Sequence, residues 1–381
     1  MNSYNEANSV FTYVRKIRKY LNENPELSNQ ERNTQQKIIS ELKDMKVEYE
    51  LVSDYSVIAY VNRSKRYKKN IAFRAEMDAL PIKDMNSNNN VSHASGHDIS
   101  VATLLGTIKI ISENQKRYDG CITFIFESSS HIYKDAKYIT NSNLLKDVDY
   151  LFSLFCITEV GKNIVGCNYG LQLLGSDIIE IDWFGQAQPS SAIYNAQDAI
   201  MAAVNFSDNL RSNISSKLTP YSLVLATITK IQGGLFHDIV ANYCELTLNV
   251  RYNDTYSKQL AHKIINDSIN YSEKRFNVTT KNKVVYSIPP LVADEEATKL
   301  LELSSKNINN NIVFQSNLTP IYSEAVSFYA KKIKCSLGYY GANSKVNIKS
   351  PLASDKFAPD EESFKVGVAW YLELARNYLL K

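Results

Sequence analysis

The chain of 381 residues carries 43 basic and 40 acidic side chains for a formal charge of +3, and 44% of it is hydrophobic. That balance describes a globular protein long enough for two domains, with no electrostatic case for nucleic acid or an anionic membrane as a partner. No run reaches the roughly 18 apolar residues of a membrane span, Met1 to Tyr20 lacks the apolar core of a signal peptide, and five scattered cysteines without CxxC spacing read as reduced thiols, so a cytoplasmic location is expected.

Val10, Phe11, Val14, Ile17 and Leu21 recur at helical spacing, and Pro25 ends that helix. Ser28-Asn29-Gln30-Glu31 has the form of a capping box and opens a second helix through Ile38, Ile39, Leu42 and Met45. Tyr55 to Val61 and Ile71 to Met77 read as strands. A Gly96-His97-Asp98 tripeptide then precedes an apolar helix over 99–114, with Asp98 placed as its cap. Cys121 to Phe126 is a buried strand. Strands alternating with helices predict a layered α/β domain.

The pattern changes after about Gly170. Strands at 178–184, 222–231 and 243–252 interleave with helices at 197–210 and 258–271, which suggests a small α+β sandwich. Pro289-Pro290 marks its end, and α/β character returns before a last helix opened by Pro359-Asp360-Glu361-Glu362.

Chemistry concentrates in Ser92-His93-Ala94-Ser95-Gly96-His97-Asp98-Ile99-Ser100. An imidazole and a carboxylate at the mouth of a helix suit a metal site, but the serines around them are poor ligands for Zn²⁺. Read alone, His97 could equally hydrogen-bond backbone. Glu76 and Asp78 fall at the carboxyl end of a strand, where α/β sheets place function, although Asp78 could instead buttress the turn before Pro81. His237 and His262 read as surface or structural.

Three motifs carry a resemblance to a known family. Arg18 to Ser28 is similar to R-x-x-L-H-x-x-P-E-L-S, Phe73 to Ile82 to L-R-A-D-M-D-A-L-P-I, and Ser92 to Gly106 to M-H-A-C-G-H-D-x-H-x-A-x-L-L-G. The chain resembles the two-metal amidohydrolases of the aminoacylase type, in the branch of N-acyl amino acid amidohydrolases, hippurate hydrolases, N-acetyldiaminopimelate deacetylases and auxin-conjugate hydrolases. The resemblance implies a zinc-peptidase-like α/β catalytic domain from residues 1–170 and 289–381, with an inserted lid domain of dimerisation type at 171–288. It also implies metal-dependent hydrolysis of an N-acyl amino acid or peptide amide, with a Glu as general base.

The same alignment exposes departures. The family's ligand Cys is Ser95, two ligand His positions are Phe155 and Ala353, the general base falls on Ser130 and the ligand Glu on His131. His97 alone keeps its ligand type. In the lid, Asp238 stands for a substrate-binding Asn and Arg251 matches an Arg that ends a lid strand. Losing several ligands removes most metal affinity, so the first expectation is a pseudoenzyme with no cofactor. Its cleft candidates are Glu76, Asp78, Asp98, Glu127, Asp238 and Arg251. The alternative is an active amidohydrolase with a rewired single-metal site holding zinc or manganese through His97 and His131 with Glu76 and Glu127. A third reading, serine chemistry at Ser95 or Ser130, lacks a recognisable base arrangement. The expected partners are a small N-acyl amino acid or peptide ligand and a second copy docked through the lid, with no nucleic acid and no membrane.

Overall fold

The computed structural model describes residues 2–64, 68–82, 90–318, 322–343, 352–354 and 356–380. The chain forms two compact units. One comprises Met1–Gln172, Val292–Pro320 and Glu324–Lys381, and the other Leu173–Leu291 and Ile321–Ser323.

An eight-stranded sheet organises the first unit, in the order Glu48–Val52, Ser56–Val61, Cys121–Glu127, Asn70–Glu76, Tyr150–Gly161, Lys334–Asn343, Ile164–Gly166 and Val313–Gln315. Cys121–Glu127, Asn70–Glu76, Tyr150–Gly161 and Lys334–Asn343 run parallel to one another, while Ser56–Val61 and Ile164–Gly166 flank them antiparallel. Cys121–Glu127 is buried at every position, the pattern of a strand covered on both faces. Helix His97–Glu113 is buried through His97 to Ile108 and at Ile110 and Ile111, as its nearly continuous apolar sequence requires. It packs against helix Phe364–Leu379 and strand Asn70–Glu76. These four strands end at the same edge of the sheet, which gathers Glu76, Glu127 and the turns that follow them.

The second unit is a four-stranded antiparallel sheet, ordered Thr279–Ile288, Gly175–Phe184, Tyr243–Tyr252 and Val224–Gly233. Ile179, Ile181 and Trp183 alternate inward and meet Ala203, Phe206, Ile264 and Ile265 from helices Ala199–Lys217 and Thr255–Phe276. Period-two burial on the strands and one apolar helix face each explain this sandwich. Among the described residues no helix is long and apolar enough to cross a membrane.

Two local expectations are corrected. Helix His97–Glu113 is capped by Gly96 in the left-handed region at φ 79°, not by Asp98. Asp98 lies in its first turn and accepts from Arg18 Nε at 2.9 Å, Asn22 Nδ2 at 3.0 Å and the Ile99 N–H at 2.9 Å. The Ser28–Glu31 capping box is not formed either. Helix Arg32–Asp44 has its first-turn N–H groups met by Glu26, whose carboxylate accepts from Asn33 N at 3.0 Å and Thr34 N at 2.8 Å. Ser28 and Glu31 are turned inward to the site.

Candidate metal centre

Glu76 and Glu127 are register partners at the ends of adjacent parallel strands. Two buried carboxylates side by side repel, and the strand chemistry answers with Arg74, two residues before Glu76. Its Nε and Nη2 donate to Glu127 at 2.9 and 2.6 Å, and its Nη1 donates to Glu76 Oε1. Tyr329 adds a hydroxyl donor to Glu127. Arg74, Glu76, Glu127 and Tyr329 are all fully buried. Burial opposes the charge on Arg74, but Glu127 and Glu76 outweigh it and hold the guanidinium well above its ordinary pKa. Burial also pushes the Glu127 carboxyl up, against the pull of Arg74. One oxygen, Glu76 Oε2, has no hydrogen-bond partner among the described residues. A buried acceptor left this way costs roughly 1–3 kcal/mol, more when charged.

Asp78 follows on the same turn and is equally buried. Its Oδ1 accepts from Ser130 Oγ at 2.5 Å and lies 3.1 Å from His97 Nδ1. Its Oδ2 accepts from Ser28 Oγ at 2.6 Å, from the His131 N–H at 3.0 Å, and from His131 Nδ1 at 2.8 Å. Burial raises the Asp78 carboxyl, yet the charge and hydrogen bonds of His131, followed by those of His97, outweigh burial and hold it well below the usual carboxylate range. His97 is raised in turn, because its bond to Asp78 and the charge of Glu76 exceed the effect of burial. The two imidazoles stack with centroids 5.0 Å apart. Each turns Nδ1 to one carboxylate, the arrangement by which proteins orient metal-binding histidines through an outer partner. Nε2 is then the nitrogen left for other chemistry.

His131 is held on a short 3₁₀ turn, Ser130–Ile132, between Ser129 at φ 58° and Tyr133 at φ 59°. Left-handed backbone at two non-glycine residues needs outside support. Glu31 gives part of it by accepting from the Ser129 N–H at 2.6 Å.

A further carboxylate arrives from far along the chain. Glu324 is the N-cap of the 3₁₀ helix Ala325–Lys331, and it brings one oxygen within 4.8 Å of ligand atoms of Glu76 and His97. Burial, and then the charge of Glu76, push its pKa up to about 8. Asp78, His97 and His131 form a second group within the same span, but their facing atoms are already spent on the hydrogen bonds above. Glu76, His97 and Glu324 therefore fit an ion better. Two carboxylates and an imidazole are a donor set suited to Zn²⁺ or Mn²⁺, and the orphaned Oε2 of Glu76 is the atom an ion would satisfy. The fit is to one ion, because Ser95, Phe155 and Ala353 supply no strong ligand for another.

Of the residues singled out in the sequence, Glu76, Asp78, His97, His131 and Ser130 come together here. Glu127 is adjacent but occupied by Arg74 and Tyr329. Asp98 is spent on Arg18 and Asn22 and joins neither group. Phe155 is buried beside Tyr339, with ring centroids 6.2 Å apart. The Ala353 N–H donates to the Ala94 carbonyl at 2.9 Å. The Oγ of Ser95 is buried without a partner among the described residues. Asp238 and Arg251 belong to the second unit, where Asp238 accepts from Ser190 Oγ at 2.5 Å and Arg251 Nη1 lies 3.3 Å from Ser323 Oγ. Three contributors escaped the sequence reading: Glu324, Arg74 and Tyr329. No local motif marks Glu324 or Tyr329, which lie on a segment distant in sequence, and although Arg74 lies within the Phe73–Ile82 motif, its role arises from the strand register that pairs Glu76 with Glu127.

A parallel sheet that collects acids and imidazoles at its carboxyl edge, with an unsatisfied carboxylate oxygen among them, presents a group of residues able to hold a metal ion. Residues 72–377 match the model of Peptidase family M20/M25/M40, and the chain belongs to that family. It is similar to an IAA-amino acid hydrolase of Arabidopsis thaliana, 26% identical over 99% of this chain and 88% of that protein. It is also 24% identical to the N-acetyldiaminopimelate deacetylase of Oenococcus oeni over 93% and 94% of the two chains. A solved structure from methicillin-resistant Staphylococcus aureus has a TM-score of 0.87 at 24% identity, covering all of both chains. A dinuclear metal-binding peptidase of the M20 family from Bacillus subtilis has a TM-score of 0.78 at 22% identity over 97% and 98%. The expectation of a cofactor-free protein is overturned. The Bacillus subtilis member of the family binds two metal ions, and this chain assembles candidate ligand groups of its own around His97.

Proposed function

We propose that the chain is an active metal-dependent amidohydrolase, holding one ion through Glu76, His97 and Glu324 and cleaving the amide bond of an N-acyl amino acid or small peptide. The observation that carries this is Glu76 Oε2, a buried acceptor without a partner, beside His97 and Glu324. The substrate class is supported by relatives described as an IAA-amino acid hydrolase and an N-acetyldiaminopimelate deacetylase. The lost family ligands favour an inactive protein, but a replacement donor set weighs against that reading.

A bound ion would polarise the scissile carbonyl and lower the pKa of its water. The chain's own residues would handle protons and orientation. Ser130, at the family's general-base position, donates its hydroxyl to Asp78 and is not free to act as a base. His131 is the better carrier. Its Nδ1 is fixed on Asp78 and its side chain is 32% exposed, which leaves Nε2 to take a proton from water and return it to the leaving nitrogen. Asp78 holds both imidazoles in one orientation.

The test is elemental analysis of protein prepared with Zn²⁺ or Mn²⁺, combined with a panel of N-acyl amino acids. About one ion per chain and turnover that disappears in His97→Ala support the proposal. Absence of bound ion overturns it, and stoichiometric ion without turnover on any amide returns the pseudoenzyme reading.

A further inference from the structure

Glu127 is fully buried and touches neither His97 nor Glu324 in any hydrogen bond, yet it contacts the two side chains on which the metal centre's carboxylates depend. Its Oε1 accepts from Arg74 Nη2 at 2.6 Å, and its Oε2 accepts from Arg74 Nε at 2.9 Å and from the Tyr329 hydroxyl. Arg74 so held presents only Nη1 to Glu76 and leaves Oε2 of that residue unclaimed. Tyr329 sits on the 3₁₀ helix Ala325–Lys331, whose N-cap is Glu324. A bond from Tyr329 to the sheet edge therefore fixes the segment that delivers the Glu324 carboxylate.

We propose that Glu127 is a positioning residue for both carboxylates of the metal centre, setting Glu76 through Arg74 and Glu324 through Tyr329. The proposal rests on the single-ion reading above and adds a role that the ligands themselves do not reveal. A guanidinium fork matches a carboxylate bidentately. Glu127 takes the Nε and Nη2 edge of Arg74 and leaves Nη1 for Glu76 Oε1; without Glu127 the freed donors would turn to Glu76 and compete with the cation. Glu127 thus keeps a permanent positive charge next to a cation site from blocking it. A glutamine cannot do this, because it offers one acceptor oxygen where three donors converge.

The experiment is calorimetric titration of Zn²⁺ and of Mn²⁺ into the metal-free full-length chain, with thermal unfolding recorded for each variant. Glu127→Gln is expected to weaken ion binding by about tenfold or more, the usual consequence of losing an outer partner. Tyr329→Phe, which releases only the Glu324 segment, is expected to weaken it by roughly threefold to tenfold. The double variant Arg74→Met/Glu127→Leu removes the competing guanidinium together with its holder. It should bind more tightly than Glu127→Gln alone, a non-additivity that a merely structural role does not produce. Variants that melt earlier but bind the ion as the parent does overturn this assignment alone. A double variant no better than Glu127→Gln overturns the route through Arg74. A parent chain that takes up no ion overturns the metal centre, and this assignment with it.

Discussion

Both units bury an aspartate against histidine, Asp78 in one and Asp177 in the other. In the second unit Asp177 lies on the inward face of strand Gly175–Phe184 and accepts from the Tyr252 hydroxyl at 2.9 Å, Lys258 Nζ at 3.0 Å and His262 Nε2 at 2.5 Å. Burial raises its carboxyl, but hydrogen bonds from His262, Ser287 and Lys258 bring it down to about 2. One carboxylate faces one ammonium, and its oxygens are taken. Around Asp78 the charges do not close in this way. Glu76, Glu127 and Glu324 crowd the same edge, Arg74 is the permanent cation paired within the group, and one oxygen is left over. Burying an acid with its own cation builds structure. Burying more acid than the local cations can match builds a place for an ion.

This contrast can be broken most directly at the histidines. His97→Ala removes a proposed ligand and is expected to abolish bound metal by elemental analysis and to reduce amide turnover at least about a hundredfold. Asp78→Asn keeps the shape but loses the charge that orients both imidazoles, and ion affinity should fall by about 10–100-fold. Asp177→Asn is the matched change in the second unit. It is expected to cost about 1–3 kcal/mol in denaturant unfolding and to leave ion binding unaltered. Equal losses of ion binding from the two asparagine variants would erase the distinction.

A second prediction uses pH. The pKa of Glu324, pushed up to about 8 by burial and Glu76, means that the metal-free site keeps a proton that an arriving cation must expel. Ion affinity should therefore rise by at least about tenfold per pH unit from pH 6 toward 8, more steeply at the lower end where His97 also gives up a proton, and then level off. Mn²⁺ titrations at pH 6, 7 and 8 measure this, and an affinity that does not rise between pH 6 and 8 would remove Glu324 from the ligand set.

Much of the scaffold was legible because periodicity reports burial. The apolar run after Asp98 became the buried helix His97–Glu113, and the alternation at 178–184 became an inward row of Ile179, Ile181 and Trp183. The site was legible only in part. Glu76, Asp78 and His97 lie within one motif-bearing stretch, so their meeting could be anticipated. Glu324 could not, since only the parallel pairing of Lys334–Asn343 with Tyr150–Gly161 carries its segment back to that edge. The Ser28–Glu31 misreading has a clear cause. A hydroxyl and a carboxylate three residues apart satisfy the capping pattern locally, but here Asp78 and the Ser129 N–H are stronger claimants, and Glu26 is free to cap the helix instead.

Glu31 supplies the mildest of these tests, since it touches neither proposed ligands nor substrate. It is fully buried, accepts from the Ser129 N–H and leaves Oε2 unpartnered among the described residues. Burial pushes its pKa up to about 7 from the ordinary 4.5. A raised folded-state value in an acid destabilises as pH rises. Below about 4.5 both folded and unfolded chains hold the proton and nothing is lost. Between there and about 7 the unfolded chain ionises first, so stability falls, and above about 7 the loss is constant. At about 1.4 kcal/mol per unit the full loss is at most about 3.5 kcal/mol. Glu31→Gln keeps a carbonyl for the Ser129 N–H and cannot ionise. It should stabilise the chain in urea unfolding at pH 8 and change little at pH 4. Asp177 has the opposite sign, because its lowered pKa gives stability that is present above the usual carboxylate range and is lost as pH falls toward about 2. An offset from Glu31→Gln that is equal at pH 4 and pH 8 would mean that Glu31 acts through shape alone. A pH-dependent offset would show surplus buried acid extending beyond the metal centre, into the turn that holds His131.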